Sequence, residues 1–161
     1  MKRFILIFTL LALSVSALAQ NGKQLYSKYS DLPGMEAVYI SPAMFRIIGK
    51  IPDVELNDKD INFSSIIKSM TGFYILNAQN ADTGAKLFAD VKKVIDSGKY
   101  ELLMEAKDDG QVVRMYTVGD EKTVTSFVML ARDKDEVSFI SFDGNMDRQQ
   151  MENLLATAAA D

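Results

Sequence analysis

The stretch that decides the fold is YELLMEAKDDGQVVRMYTVGDEKTVTSFVMLARDKDEVSFISF, residues 100–142. Apolar and polar residues alternate along four runs, at 100–107, 111–118, 123–132 and 137–142. A period of two is typical of a strand with one covered face. The first turn, Asp108-Asp109-Gly110, contains the strongest short hairpin signal, because both central residues of a type I′ turn need positive φ. The stretch predicts a four-strand antiparallel meander at about 100–142.

Helical patterns flank this meander. The apolar stripe of residues 82–97 predicts a helix, with Gly98 as its left-handed terminator. Because one-sided helices need a sheet to cover, we expect an α+β fold. Its architecture is a two-layer domain, with a mostly antiparallel sheet covered by helices. Further helices are predicted at 22–31, 41–49, 61–70 and 146–158, and further strands at 35–40 and 73–76.

The boundaries of these elements rest on local signals. Gly72 is expected to interrupt the helix before the strand 73–76, and Asp143-Gly144 to end the last strand. Asp147 with Gln150 three residues later predicts a capping box for the final helix. The acidic stretch 53–60 is read as a surface loop.

The run 123–132 is apolar on both sides. Strict alternation would place Thr125, Phe127 and Met129 on one side, and Val124, Val128 and Leu130 on the other. Either helices cover both sides of the sheet, or one side is an exposed patch for a partner or a second copy of the chain.

The N-terminus predicts an export signal. Lys2 and Arg3 precede an apolar run, and Ala17-Leu18-Ala19 precedes Gln20. This pattern is typical of a secretory signal peptide over residues 1–19, cleaved between Ala19 and Gln20. Residues 20–161 would then form a single periplasmic or secreted domain. Because a lipoprotein would need a cysteine at position 20, we expect no lipid anchor, and no second apolar run predicts a transmembrane segment.

Composition narrows the chemistry. Without Lys2 and Arg3, the 18 basic residues become 16 against 22 acidic ones, a formal net charge of −6. Such a charge disfavours nucleic acid as a partner. The sequence contains no histidine and no cysteine, which excludes a Ser-His-Asp triad, a Cys-His dyad and the common zinc sites. We expect no cofactor and no catalytic residue.

Two stretches contain oxygen ligands at alternate positions, as calcium sites do. The first departs from the EF-hand pattern at Asp58 and Ser64, and the second at Arg148, so a solvated loop and a helix cap are the preferred readings. A structural calcium-binding domain stays an alternative. Its candidate ligands are Asp53, Glu55 and Asn57 in the first stretch, and Asp143, Asn145 and Asp147 in the second.

A carboxylate-based hydrolase of envelope glycans is the other alternative. Glu101 and Glu105 would share one face of the first meander strand, with Arg114 on the next strand. A glycosidase needs two carboxyl groups about 5–10 Å apart. Glutamates on the solvated face of a sheet, partly paired with arginine, explain the same residues. A set of aromatic residues in the first half of the chain could bind a sugar or a partner protein, but packing between sheet and helices is the preferred reading. They are Tyr26, Tyr29, Tyr39, Phe45, Phe73 and Tyr74.

Several structural motifs resemble a known family. They are Leu25-Tyr26-Ser27-Lys28-Tyr29, Val38 to Met44, Lys99 to Met104 and Phe142-Asp143-Gly144. Together they resemble the domain-of-unknown-function family 4252 of small secreted proteins from Bacteroides-type bacteria. The resemblance implies an envelope or periplasmic location in a Gram-negative organism and no activity. Members of that family are often predicted lipoproteins, and Gln20 departs from that pattern.

These observations predict a secreted or periplasmic, non-catalytic binding or regulatory module. It would act through a protein partner in the cell envelope, and a homodimer through the sheet is an alternative. The solvated side of the meander is the surface where we expect contact.

Overall fold

The computed structural model describes residues 21–48 and 63–158 of the chain. Within them the fold is α+β, as the sequence predicts, with an antiparallel sheet and helices around it. The helices are α1 (Asn21–Tyr29), α2 (Pro42–Ile48), α3 (Phe63–Ser69), α4 (Ala81–Ser97) and α5 (Arg148–Ala158). The strands are β1 (Met35–Ile40), β2 (Met70–Ala78), β3 (Glu101–Asp108), β4 (Gln111–Gly119), β5 (Thr123–Asp133) and β6 (Glu136–Asp147).

The six strands form one sheet in the order β1-β2-β6-β5-β4-β3, and every neighbouring pair is antiparallel. The predicted meander is confirmed as the four consecutive strands β3 to β6. Strand β6 pairs with β5 along one edge and with β2 along the other, so the two halves of the chain share one sheet. The edges of the sheet are β1 and β3.

The turn between β3 and β4 has the predicted backbone conformation. Asp109 and Gly110 have φ of 41° and 86°. Positive φ at both residues matches the right-handed twist of the two strands that they join. The hairpin prediction is therefore confirmed.

Helices α1 and α4 pack on one face of the sheet, which we call the helix face. Leu25 and Tyr29 of α1 meet Leu87, Val91 and Ile95 of α4 over the middle strands. The Tyr29 hydroxyl donates a hydrogen bond to Asp90 Oδ2 at 2.7 Å, which links the two helices. The strands contribute Leu76, Ala78, Val128, Leu130, Val137 and Phe139 to this core.

Helix α4 begins as its sequence predicts but ends differently. Asn80 is its N-cap, and its Oδ1 accepts a hydrogen bond from the Thr83 backbone N–H at 2.9 Å. At the other end Gly98 has φ of −97°, so the predicted left-handed terminator is wrong. The Gly98 N–H donates to the Val94 carbonyl at 3.1 Å, which satisfies that carbonyl without a left-handed residue.

Two predicted boundaries are also wrong. Strand β2 begins at Met70, so Gly72 lies inside the strand, where the Tyr74 ring occupies the space that a Cβ would need. Strand β6 continues past Asp143-Gly144 to Asp147, because Met146 pairs with Val124 and is fully buried. Helix α5 accordingly begins at Arg148 instead of 146.

Asp147 caps α5, because its Oδ1 accepts a hydrogen bond from the Gln150 backbone N–H at 2.9 Å, and this half of the predicted capping box is confirmed. The signal-peptide prediction at 1–19 and the loop prediction at 53–60 lie outside the described residues.

Candidate functional site

The face of the sheet opposite α1 and α4, which we call the open face, carries a continuous line of apolar side chains. Antiparallel pairing aligns one apolar residue from each of the six strands directly opposite its neighbour. Because paired residues project to the same side of a sheet, these six side chains form a single row. We call it the apolar row: Val38, Ile75, Ile140, Met129, Met115 and Met104.

The apolar row is only partly buried. Its four middle members are half-buried, and its ends, Val38 and Met104, are 46% and 42% exposed. On the helix face, by contrast, the neighbouring residues Leu76, Phe139 and Leu130 are buried. The two sides of the same strands therefore differ in cover, and the prediction of one exposed apolar side fits this difference.

Helices α3 and α5 cover one end of the open face. Ile66 of α3 and Met151 of α5 form a second buried cluster with Val124 and Met146, and Phe142 packs against it. Phe142 also stacks on Phe73 with ring centroids 4.6 Å apart. The apolar row thus runs beside a wall of helices and aromatic rings.

A β-bulge corrects the predicted arrangement of β5. The register shifts between Val124 and Ser126, so Val124 lies on the same side as Phe127 and Met129. Strict alternation had placed it with Val128 and Leu130. The bulge turns Val124 toward α3 and α5, where it completes the second cluster.

The basic residues of the strands share one face, and most of the strand carboxylates project to the other. By register, the three basic strand residues, Lys107, Arg114 and Arg132, project to the helix face. Arg132 lies over the Phe88 ring of α4 at 5.3 Å, which confirms its side. Five carboxylates project to the open face instead: Glu36, Glu101, Asp108, Asp133 and Glu136.

Three of these carboxylates line the open face at the end opposite α3 and α5. We call Asp108, Asp133 and Glu136 the acidic margin. Asp133 is paired with Glu136 in the register and accepts a hydrogen bond from Gln111 Nε2 at 2.8 Å. Gln111 is in turn paired with Asp108. The acidic margin therefore extends across the four strands from β3 to β6 at one level of the sheet, with Gln111 on β4 between the carboxylates.

The helix face contains one buried carboxylate. Asp143 is 6% exposed, and its Oδ1 accepts hydrogen bonds from the hydroxyls of Ser126 at 2.9 Å and Ser141 at 3.3 Å. Burial raises the pKa of Asp143, and the two hydroxyls oppose that shift. A Cβ at Gly22 of α1 would lie 3.0 Å from Asp143 Oδ2, so α1 packs closely over this group.

We expect Asp143→Asn to change how stability depends on pH. Because the folded state raises the pKa of Asp143, it binds a proton that the unfolded state has already lost, and stability falls as pH rises from about 4 through the raised pKa. The carboxamide oxygen can still accept from both serines but does not titrate. The stability of the variant relative to the natural protein should therefore increase from pH 4 to pH 7 in urea unfolding.

Asp96→Asn, at an exposed position of α4, is the control for this measurement. Tyr74, whose pKa burial and Asp143 raise to about 12, does not titrate in the same range. A difference between Asp143→Asn and the natural protein that stays constant with pH would contradict the prediction.

The calcium candidates fall into two groups. Asp53, Glu55 and Asn57 lie outside the described residues. Asp143 is buried against its serines, Asn145 is exposed, and Asp147 caps α5. Residues 21–48 and 63–158 contain no group of three acidic side chains that could hold a metal ion. The expectation of no metal and no cofactor stays a prediction.

The two glutamates of the hydrolase hypothesis do not share a face. A register shift between Leu102 and Met104 leaves Glu101 opposite Thr117 and Glu105 opposite Arg114, and these partners project to different sides of the sheet. The same-face prediction is therefore wrong. The predicted pairing is confirmed, because Arg114 Nε lies 2.6 Å from Glu105 Oε2. Lys107 and Arg114 lower the pKa of Glu105, whereas a general acid needs a raised one.

Three of the tyrosines form a cluster between α1 and the β1 edge. Tyr39 stacks on Tyr74 at 5.2 Å, and Tyr26 lies 5.7 Å from Tyr39 and 5.9 Å from Tyr74. Tyr74 is buried, while Tyr39 is 44% exposed. The preferred reading, packing between helix and sheet, fits this geometry.

The sequence predicts a contact surface on the meander, but it does not predict the apolar row. The row comes from six separate strands, and only the pairing register aligns them. The one local signal was the run 123–132, which is apolar on both sides.

Comparisons with known proteins identify a family but no activity. The model of the family described as "Domain of unknown function (DUF4252)" matches residues 29–154. No curated protein matches the sequence. Among solved structures the chain is similar to the crystal structure of the predicted lipoprotein LppA from Mycobacterium tuberculosis, at 12% identity and a TM-score of 0.37, over 86% of this chain and 79% of that one.

The likeness to LppA carries no argument about function. No helix of the described residues is long and apolar enough to cross a bilayer.

The family match covers most of the chain and confirms the resemblance seen in its strand, cap and turn motifs. The chain therefore belongs to the domain-of-unknown-function family 4252.

Proposed function

We propose that the protein is a non-catalytic binding module of the cell envelope that docks a protein partner on its open face. The proposal includes export by the signal peptide, cleavage between Ala19 and Gln20, and a periplasmic or secreted product without a lipid anchor. The observation that carries it is the apolar row, which crosses the whole sheet while remaining half-buried or exposed.

The energetics of the apolar row support a binding role. Apolar surface in contact with water is unfavourable by about 25 cal/mol per Å², and a contiguous patch is typical of an interaction site. Three members, Met104, Met115 and Met129, are methionines on adjacent strands. Because methionine is unbranched and flexible, such a surface can adapt to the shape of a partner.

The helix face supports the same reading by contrast. There α1 and α4 cover the middle strands, and the buried carboxylate of Asp143 has hydroxyl partners. Within residues 21–48 and 63–158, the second cluster lies under α3 and α5 at one end of the opposite side. The described residues leave the apolar row half-buried or exposed, which supports docking on this face.

A crosslinking experiment in the native envelope tests the proposal. We expect a photoreactive residue at Met129 to give a discrete crosslinked protein, because Met129 lies in the middle of the apolar row. Leu102, which is 52% exposed but projects to the helix face, is the matched control position and should give none.

The charge variant Met115→Glu supplies the second readout. It should reduce the Met129 crosslink by about tenfold or more, since central contacts contribute most to an interface. Leu102→Glu, which introduces the same charge on the other side, should leave the crosslink unchanged, and circular dichroism of both variants verifies that they are folded. Equal crosslinks from both positions, or none from Met129, would overturn the proposal.

A further inference from the structure

We propose that the partner docks as an amphipathic helix whose apolar stripe lies along the apolar row and whose basic flank meets the acidic margin. This inference rests on the proposed function and names the kind of partner that the open face fits. It is carried by two features of one surface: an apolar row across the six strands and a line of carboxylates beside it.

The dimensions of the row match a helix. Six strands spaced about 4.8 Å apart give a row about 24 Å long, which about 16 residues of α-helix span at 1.5 Å per residue. The row crosses all six strands, and its three methionines are flexible enough to adapt to the surface of a cylinder. Apolar residues at helical spacing would then contact Val38 at one end and Met104 at the other.

The acidic margin lies at the right distance for the flank of that helix. Glu136 and Ile140 are four residues apart on β6, a separation of about 13 Å along the strand. A helix with side chains is about 10–12 Å across, so a Lys or Arg on its flank can reach the margin. Between the two lines lie smaller side chains, Ala106, Val113, Ala131 and Ser138, which leave room for such a reach.

The charge balance of the face selects a basic partner. The open face holds five strand carboxylates and none of the three basic strand residues of the described sheet. Basic side chains of neighbouring segments lie near both ends of the face: Arg148 Nη1 is 3.9 Å from Glu101 Oε2, Lys68 belongs to α3, and Lys134 lies in the turn between Asp133 and Glu136. The acidic margin, with three carboxylates to one lysine, remains negative.

The same charge argues against two other occupants. A second copy would present the same carboxylates, so a symmetric face-to-face dimer would bring acidic groups together. An anionic membrane surface would be repelled for the same reason. A basic amphipathic helix satisfies both the apolar row and the acidic margin.

The opposite flank of the docked helix would meet an apolar wall. Phe73, Phe127 and Phe142 lie two residues along the strands from the apolar row, and Phe127 and Phe142 are 5.8 Å apart. The fitting helix is therefore asymmetric, with aromatic or aliphatic residues on one flank and Lys or Arg on the other.

Two designed 16-residue helical peptides test this inference by fluorescence anisotropy with the purified protein. Both carry the same leucine stripe, and one flank bears lysines in the first peptide and glutamates in the second. We expect the lysine peptide to bind more tightly, with an advantage that shrinks as salt is raised from 50 to 500 mM, because salt screens surface charges.

Neutralising the acidic margin should remove this advantage. The variant Asp108→Asn, Asp133→Asn, Glu136→Gln is expected to weaken binding of the lysine peptide by about tenfold, given three surface charge pairs. A matched variant, Asp31→Asn, Asp96→Asn, Glu121→Gln, removes the same charge elsewhere and should bind like the natural protein.

The remaining outcomes separate this inference from the proposed function. Equal binding of both peptides, lost in Met115→Glu, would overturn the basic partner and leave the apolar docking face. No binding of either peptide would overturn the helical occupant, while the Met129 crosslink still decides whether a partner docks. Concentration-dependent dimerisation in light scattering, abolished by Met115→Glu, would overturn the inference in favour of a second copy.

Discussion

Phe139→Ala is expected to lower the free energy of unfolding by about 3–5 kcal/mol, the range for removing a buried phenylalanine. Phe139 is 1% exposed on the central strand β6, where it packs among side chains of the helix face. The loss combines the apolar surface returned to water with a cavity that the neighbouring strands cannot close. Urea unfolding monitored by circular dichroism measures it.

The next residue on the same strand is the control. Ile140 belongs to the apolar row and is half-buried, so Ile140→Ala should cost about 1 kcal/mol, because part of its side chain already contacts water. The same substitution should weaken docking on the open face. Equal losses of stability at the two positions would mean that the open face is packed as tightly as the helix face.

Gly119→Ala is expected to destabilise the protein by about 3 kcal/mol, the upper end of the range for overpacking. A Cβ at this position would overlap the carbonyl oxygen of Thr123, the first residue of β5. The same oxygen accepts a hydrogen bond from the Asp120 N–H at 2.8 Å, so it cannot move without loss of that bond. The thermal unfolding midpoint and urea unfolding both report the change.

Gly110→Ala separates a steric effect from a conformational one. Gly110 has φ of 86°, and a Cβ there would meet no atom within 4 Å. Its substitution should cost about 1 kcal/mol from the left-handed backbone alone. A loss at Gly110 as large as the loss at Gly119 would show that turn conformation, instead of contact with the Thr123 carbonyl, dominates.

The sequence predicts the local parts of this fold well. Asp109-Gly110 identifies its hairpin because that turn has a strict backbone requirement, and the stripe of α4 identifies a helix with one covered side. The pairing of β6 with β2 could not be predicted in the same way. This pairing joins residues that are far apart in the chain. The alternation of apolar and polar residues along a strand does not depend on which strand is its neighbour.

Two predictions of which face of the sheet a side chain projects to are wrong, and both errors come from β-bulges. One at Leu102–Met104 separates Glu101 from Glu105, and one at Val124–Ser126 turns Val124 to the open face. A bulge inserts a single residue into one strand and has no characteristic sequence. The alternation assumed from the sequence therefore places the residues beyond the bulge on the wrong side. Here the bulges decide which carboxylates and which apolar residues share a surface.

The candidate site was predictable only in part. The expectation of an exposed apolar side came from Phe127 and Met129, which lie near the middle of the open face. The separation of the basic strand residues from the five open-face carboxylates could not be read from the chain, since Lys107 and Asp108 are neighbours in sequence. Alternate projection places these two neighbours on opposite faces.

The central position of β6 in the sheet also affects the order in which the chain folds. Until β6 is made, β1–β2 and β3–β5 are separate groups with no shared ladder, and pairs such as Phe73 with Phe142 cannot form. Long-range closure of this kind is slow. For the exported product proposed above, a chain that stays unfolded until β6 is available would enter a translocation channel as an extended polypeptide, and β6 would join the two groups afterwards.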